Sequence, residues 1–542
     1  MKKMNRCLVF LLGMFCFIAL AAEEQSLDIW PHDKESAAKW NLRENSKWEV
    51  GQDGSYTLVV SNPTAECDVL NIYPLDPQKY AGYMLSASIE IKGDNITPPV
   101  PDYLGSKFMM PYRINGILTW LSGTDGLHGT YDWQKFSLNV MVLPDMDQLS
   151  IQLGLQKSSG TIRFRNLQVK LVPAGQAAEV PFVLPDNFRC EYSSAIQNRP
   201  PMRGVMGADP KLITLKDLRD LSKLGANLLR WQFINYRSTD LEFYRKELDE
   251  SIDKLLAFAP ELQKLGIMVV FDMHIPPGNR YLEPSVMGTA GSLAKLDGSV
   301  CLRLYLEDVY QEAYVETWKH IAARLKDCPV IWGYDLLNEP SAGGQKGKYN
   351  YLSSQYAAAK AIREIDPETP IVVEADEFAS PGSFGYLLPI PVKNVYYQVH
   401  FYQPGEYTHQ GVTKATLDLV RAGKGLKYPG IVNDVMIDKE RLRGALKPVV
   451  AFQEKYGAKI FCGEFSAIRW APGADQWLED VLAIFAEHDW SWTYHAFREW
   501  HGWSVEHDSN CDNEQPVDYV TKRKQLLLNE FKKNQPVSRE TR

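Results

Sequence analysis

A chain of 542 residues holds more than one hydrophobic core can organise, so two domains are expected. Hydrophobic residues make up 45% and charged residues 23%, the balance of an ordinary soluble globular protein. With 59 basic against 67 acidic side chains the net charge is -8, which argues against a polyanionic partner such as nucleic acid.

Residues 1–21 read as a secretory signal peptide: Lys2, Lys3 and Arg6 form a basic start, an apolar run follows, and Ala19-Leu20-Ala21 makes a cleavage site. Cleavage there implies a secreted or periplasmic protein, and no later stretch is apolar enough for a membrane span. Six cysteines remain after the leader, Cys67, Cys190, Cys301, Cys328, Cys462 and Cys511, with no CxxC or CxxH spacing that would suit a structural zinc.

Residues 22–175 read as all-β. Short alternating runs such as SYTLVVS, YMLSASIEIKG, LSIQLGLQ and TIRFRNLQVKLV lie between Gly, Pro, Asp and Asn clusters, which predicts an all-β sandwich of jelly-roll type. A Pro/Ala/Gly-rich linker is expected over 176–190. From there to residue 535 strand-like and helix-like segments alternate. Eight strands are expected, at 202–206, 227–233, 267–274, 330–340, 371–377, 394–402, 459–465 and 491–497, which gives α/β architecture and a (β/α)8 TIM barrel. A doubly wound sheet is the alternative, but the first strand lacks a Gly-rich phosphate loop.

Nearly every barrel strand ends in a polar or ionisable residue, on the face where barrel active sites are assembled: Arg230, His274, Asn338, Glu339, Glu377, His400, Tyr402, Glu464 and His495. Glu339 and Glu464 each close an apolar strand and are expected to face one another across the rim. Paired carboxylates are what glycosidic cleavage requires, one protonating the leaving oxygen and the other attacking the anomeric carbon. Strands four and seven span only part of the ring, which suits the roughly 5 Å separation of a retaining enzyme. Arg230 is expected beside Glu464, keeping it ionised, and Tyr402 is expected to donate to the same carboxylate. Asn338 is a candidate for the sugar 2-hydroxyl, and His274 and His400 for orienting hydroxyls or the acid.

The successive segments NLLRWQF, FDMHIPPG, YDLLNEP, VHFY and GEF resemble the signatures of glycoside hydrolase family 5, a clan A family, over roughly Arg203 to Lys532. The resemblance implies that Glu339 is the acid/base and Glu464 the nucleophile, with Arg230, His274, Asn338, His400 and Tyr402 around them. One departure concerns the end of strand eight, where the family usually places a Trp under the cleaved sugar and this chain has His495. Trp500 and Trp503 in the following loop are candidates to supply a stacking surface instead, or simply pack that loop. Long insertions at 275–301 and 403–437 are expected to wall or line the cleft. The end of the first domain is similar to the closing strands of jelly-roll carbohydrate-binding modules, with Trp30, Trp40, Trp48, Tyr73, Trp120 and Trp133 as aromatic candidates, though a structural role is the other reading.

The expected activity is that of a secreted retaining β-glycoside hydrolase acting by double displacement on polysaccharide or oligosaccharide, with endo-β-glucanase placed first. A β-mannanase or an exo-acting β-glycosidase is the alternative within the family, and a non-catalytic glycan-binding protein the alternative outside it. No cofactor is expected, nor a catalytic metal, since metal-dependent barrel hydrolases typically carry His-x-His on the first strand where this chain has Arg203-Gly-Val-Met206. A monomer is expected.

Overall fold

The computed structural model of the chain describes residues 25–535, apart from 82, 101–103, 115–116, 125–126, 143–145, 174–179, 280–302, 341–348 and 433–434. The expected leader, Cys301 and most of the 275–301 insertion therefore lie outside the described residues.

The βα rhythm closes on itself. Eight parallel strands form a closed barrel: β1 (Arg203–Gly207), β2 (Leu228–Phe233), β3 (Met268–Met273), β4 (Ile331–Asp335), β5 (Ile371–Glu374), β6 (Val395–Phe401), β7 (Lys459–Phe465) and β8 (Ser491–Phe497). Closure is the pairing of β8 with β1, Arg203 opposite Trp492 and Val205 opposite Tyr494. Local chemistry sets the helices between them. Thr214 accepts from Asp217 N–H while the Asp217 carboxylate accepts from Thr214 N–H, a reciprocal cap that starts helix Leu215–Leu224, and Gly225 ends it at φ +91°. Asp240 likewise caps helix Leu241–Leu265, which Gly266 ends at φ +70°.

Alternation along the strands layers the barrel interior. Leu228, Met268, Val270, Trp332, Val372, Tyr396 and Phe461 form an apolar lower layer, and Ile196 and Met202 pack into the same cluster. Two residues further along β2, β3, β5 and β6, the same face presents Arg230, Asp272, Glu374 and Gln398, each fully buried. An apolar floor thus supports a charged layer, with the strand-end residues above it.

Two corrections to strand ends follow. The fourth strand stops at Asp335, so Asn338 and Glu339 stand on the turn beyond it, and the fifth stops at Glu374 rather than 377. Glu377 belongs instead to a left-handed run with Phe378 and Ala379 (φ +52°, +61° and +54°). Residues 180–190 do not hang free: Val180, Phe182, Phe188 and Cys190 pack against the barrel core, and Arg189 Nη1 donates to the carbonyls of Glu454 and Lys455 at 2.9 and 3.0 Å. The second insertion carries helices Gly405–Thr408 and Lys414–Arg421 and a hairpin of Gly430–Val432 with Val435–Ile437.

Ahead of the barrel lie two antiparallel sheets. One runs Ser46–Val50, Tyr56–Asn62, Gly160–Pro173, Tyr83–Ile96, Gly129–Met141, with Gln25–Leu27 also on Gly160–Pro173. The other runs Val69–Leu75, Met146–Gln156, Tyr112–Ile114, Ile117–Thr119, with Gly105–Met109 also on Met146–Gln156. They share a hydrophobic core of their own. Trp30, Trp40 and Trp48 meet edge to face at 5.1 to 5.9 Å, with Tyr73 at 5.3 Å from Trp40. Trp133 lies under the Arg165 guanidinium at 4.0 Å, and Trp120 is exposed. Among the described residues no helix is long and apolar enough to cross a membrane.

Candidate active site

Arg230 organises the site from below. It is wholly inaccessible to solvent and meets four carboxylates, three through charge-assisted hydrogen bonds, Glu464 Oε1 at 2.6 Å, Asp335 Oδ2 at 2.9 Å and Glu374 Oε1 at 3.0 Å, and Asp272 Oδ1 as an ion pair at 3.2 Å. Its Nη2 also donates to Asn338 Oδ1 at 2.8 Å. Burial alone would lower the guanidinium pKa, but the surrounding anions, Asp272 foremost, outweigh it and hold the charge firmly in place.

The two glutamates meet above this charge. One oxygen of Glu339, one of Glu464 and a His400 nitrogen all lie within 4.8 Å of one another. Glu339 sits on the turn after β4 at φ +46°, and its N–H donates to Glu374 Oε2 at 2.7 Å, so a buried carboxylate fixes the unusual backbone that turns its side chain inward. His400 Nδ1 is 2.9 Å from Glu339 Oε1. Glu464 receives Arg230 on Oε1 and Tyr402 Oη, at 2.9 Å, on Oε2. Burial would raise the Glu464 pKa, yet His400, His495 and Arg230 overcome it and carry it well below the usual carboxylate range.

Every strand-end residue expected from the sequence except Glu377 joins this network. Asn338 Nδ2 donates to His274 Nε2 at 3.4 Å, and His274 Nδ1 is 2.9 Å from Asp272 Oδ2. His495 Nδ1 is 2.8 Å from Tyr402 Oη, and its Nε2 is 3.1 Å from Glu499 Oε2. Trp503 is buried beneath that pair, its ring 6.1 Å from Tyr402 and 5.5 Å from His495. Trp500 is one ring removed, edge-on to Trp470 and Trp503. Glu377 stands apart from the network: its burial and the neighbouring Asp376 push it up to about 8.

Sequence reading missed the layer below the rim. Asp272, Asp335, Glu374 and Gln398 are all buried, and Gln398 Nε2 donates to Asp335 Oδ2 at 3.1 Å and to Glu374 Oε1. Strand parity was the available signal, because Asp272 precedes His274 and Gln398 precedes His400 by two. His409 was also missed; it packs 5.0 Å from both Tyr402 and Trp503, and burial pushes its pKa down to about 4.

Glu339, His400 and Glu464 are spaced closely enough to consider a cation between them. Both Glu464 oxygens already accept from protein donors, however, and a guanidinium supplies the positive charge from below. The donor set therefore fits a paired-carboxylate site better than a metal centre.

The family model of cellulase, glycosyl hydrolase family 5, matches residues 198–499 of this chain. The chain is 26% identical over 301 residues to endoglucanase C of Acetivibrio thermocellus, covering 51% of this chain and 81% of that protein. It is 27% identical over 193 residues to cellodextrinase A of Ruminococcus flavefaciens, covering 35% of this chain and 55% of that one. Among solved structures, an endoglucanase of the hyperthermophilic Thermotoga maritima is 21% identical, covering 60% of this chain and 96% of that one at a TM-score of 0.44. The family match takes in the whole barrel and more than half of the chain, which therefore belongs to glycosyl hydrolase family 5 and is a glycoside hydrolase.

Proposed function

We propose that this protein is a retaining endo-β-glucanase in which Glu464 attacks the anomeric carbon and Glu339 first protonates the leaving oxygen and then activates water. The single observation that carries the reading is the pair itself: carboxylate oxygens of Glu339 and Glu464 within 4.8 Å, only one of the two bonded to Arg230. That gap leaves no room for a water between carboxylate and sugar, as an inverting enzyme needs, and matches the roughly 5 Å of double displacement. Arg230 and Tyr402 hold Glu464 as an anion ready to attack, while Asn338, on the same guanidinium, is positioned for the sugar 2-hydroxyl.

The same reading makes residues 1–21 an export signal, 22–175 a carbohydrate-binding-module-like sandwich, 176–190 a connector and 191–535 the catalytic barrel of a monomeric secreted or periplasmic enzyme. The names of the curated relatives, endoglucanase C and cellodextrinase A, support β-glucan as the substrate ahead of β-mannan.

Glu339→Gln and Glu464→Gln, assayed on a panel of β-1,4-glucan, β-mannan and xyloglucan, test this. Each is expected to lose about 10²- to 10⁴-fold or more in turnover on glucan while chelators leave the wild type unaffected. Full turnover by Glu464→Gln would overturn the mechanism. Release of single sugars only, or preference for mannan, would overturn the endo-glucanase assignment.

A further inference from the structure

Counting protons along the chain Glu464, Tyr402, His495, Glu499 leads past the catalytic pair, and rests on the reading of Glu464 as an ionised nucleophile. Tyr402 Oη is 2.9 Å from Glu464 Oε2 and 2.8 Å from His495 Nδ1. His495 Nε2 is 3.1 Å from Glu499 Oε2. An ionised carboxylate only accepts, and a phenol has a single proton to give. With that proton on Glu464, the Tyr402 oxygen can only accept from His495, so Nδ1 must carry hydrogen. Glu499 at the other end makes the same demand of Nε2.

We propose that His495 is an imidazolium clamped between Glu499 and Tyr402, a positioning residue that commits the Tyr402 proton to Glu464 and so keeps the nucleophile charged and aimed. The Trp usual here in the family has one ring N–H and cannot donate at both ends.

The groups facing His495 agree. Glu499 contributes from the loop after β8, with Gln232 of β2 donating to it at 3.5 Å; Glu464 of β7 and Glu339 beyond β4 add further negative charge. Burial opposes the imidazolium, but these carboxylates, Glu499 first, raise its pKa above the ordinary histidine value. Among nearby histidines, His409 is pushed down by burial and stays neutral near pH 7, and His274 faces the same carboxylates, Glu499 and Glu464. Trp503 backs the imidazole ring at 5.5 Å with the planes 40° apart.

Two measurements test this on the full-length protein. In ¹⁵N-histidine NMR at about pH 7.5, above the ordinary histidine range, the resonance missing from His495→Gln should show protons on both ring nitrogens, and Glu499→Gln should lower its titration midpoint. In kinetics with a dinitrophenyl β-cellobioside, whose leaving group departs without protonation, wild-type kcat/KM should fall as alkali removes the His495 proton. His495→Gln should be reduced roughly 10- to 100-fold below pH 7 and lack that fall. A neutral His495 at that pH, or a His495→Gln pH profile that superimposes on the wild type, overturns the proposal. Loss of activity in Glu464→Gln alongside a neutral His495 would sink this inference alone, whereas an active Glu464→Gln would sink the nucleophile reading beneath it.

Discussion

Arg230 brings one positive charge to four carboxylates in a space without solvent, and that imbalance dictates protonation. Four anions around one cation would leave uncompensated buried charge, so some must retain protons. Glu464 is spared because Tyr402, His400 and His495 also attend it; Glu374 is raised well above the usual range and Asp335 to about 6, in both cases first by burial. Asp335 is an acid whose folded pKa exceeds its ordinary 3.8, so the stability it gives is present below that value and lost as pH rises through about 6. The advantage in melting temperature of the wild type over Asp335→Asn should therefore shrink between about pH 4 and pH 7. An advantage that widened over that interval would show that Asp335 is ionised throughout. Glu464 has the opposite sign, and its contribution is lost on acidification below the ordinary carboxylate range.

At the scale of the strand, β7 carries Glu464 directly after Gly463, where an added Cβ would run into the Gln398 amide. That amide is buried and its Nε2 donates to Asp335 and Glu374, bonds that any shift away from the added Cβ would disturb. Gly463→Ala should accordingly cost about 1–3 kcal/mol in denaturant unfolding and lower kcat more than it raises KM, because it displaces the charged layer rather than the sugar-binding rim. An unchanged midpoint and kcat would show that the layer has slack. The strands themselves were legible in the sequence because short apolar runs recur eight times, nearly all with a polar or ionisable residue at or near the C-terminal end, and β7 and β8 were read to the residue. The layer beneath the rim was not, because single polar residues inside such runs look like interruptions until alternation is tracked strand by strand. Glu374 shows the cost: the strand expected to run to 377 stops at Glu374 and gives way to left-handed residues, so the sequence points to the last acid of the run, Glu377, in place of Glu374.

For the whole molecule, the division of labour follows from two separate cores. The barrel encloses a charged layer on an apolar floor, whereas the sandwich has an apolar core of its own with Trp30, Trp40 and Trp48 edge to face beside a tilted Tyr73. Of the aromatic candidates Trp40 is buried in that core while Trp30, Trp48 and Tyr73 are half-buried against it, a distinction composition could not reveal since a buried and an exposed Trp read alike. What remains for chemistry is a rim where two carboxylates approach closely enough for attack and proton transfer on a single sugar. The most direct test of that claim is the anomeric configuration of the first product, followed by ¹H NMR as the enzyme cleaves a cello-oligosaccharide. The β-anomer should appear first, with the α-anomer growing in only as mutarotation proceeds; an initial α-anomer would contradict double displacement at Glu464.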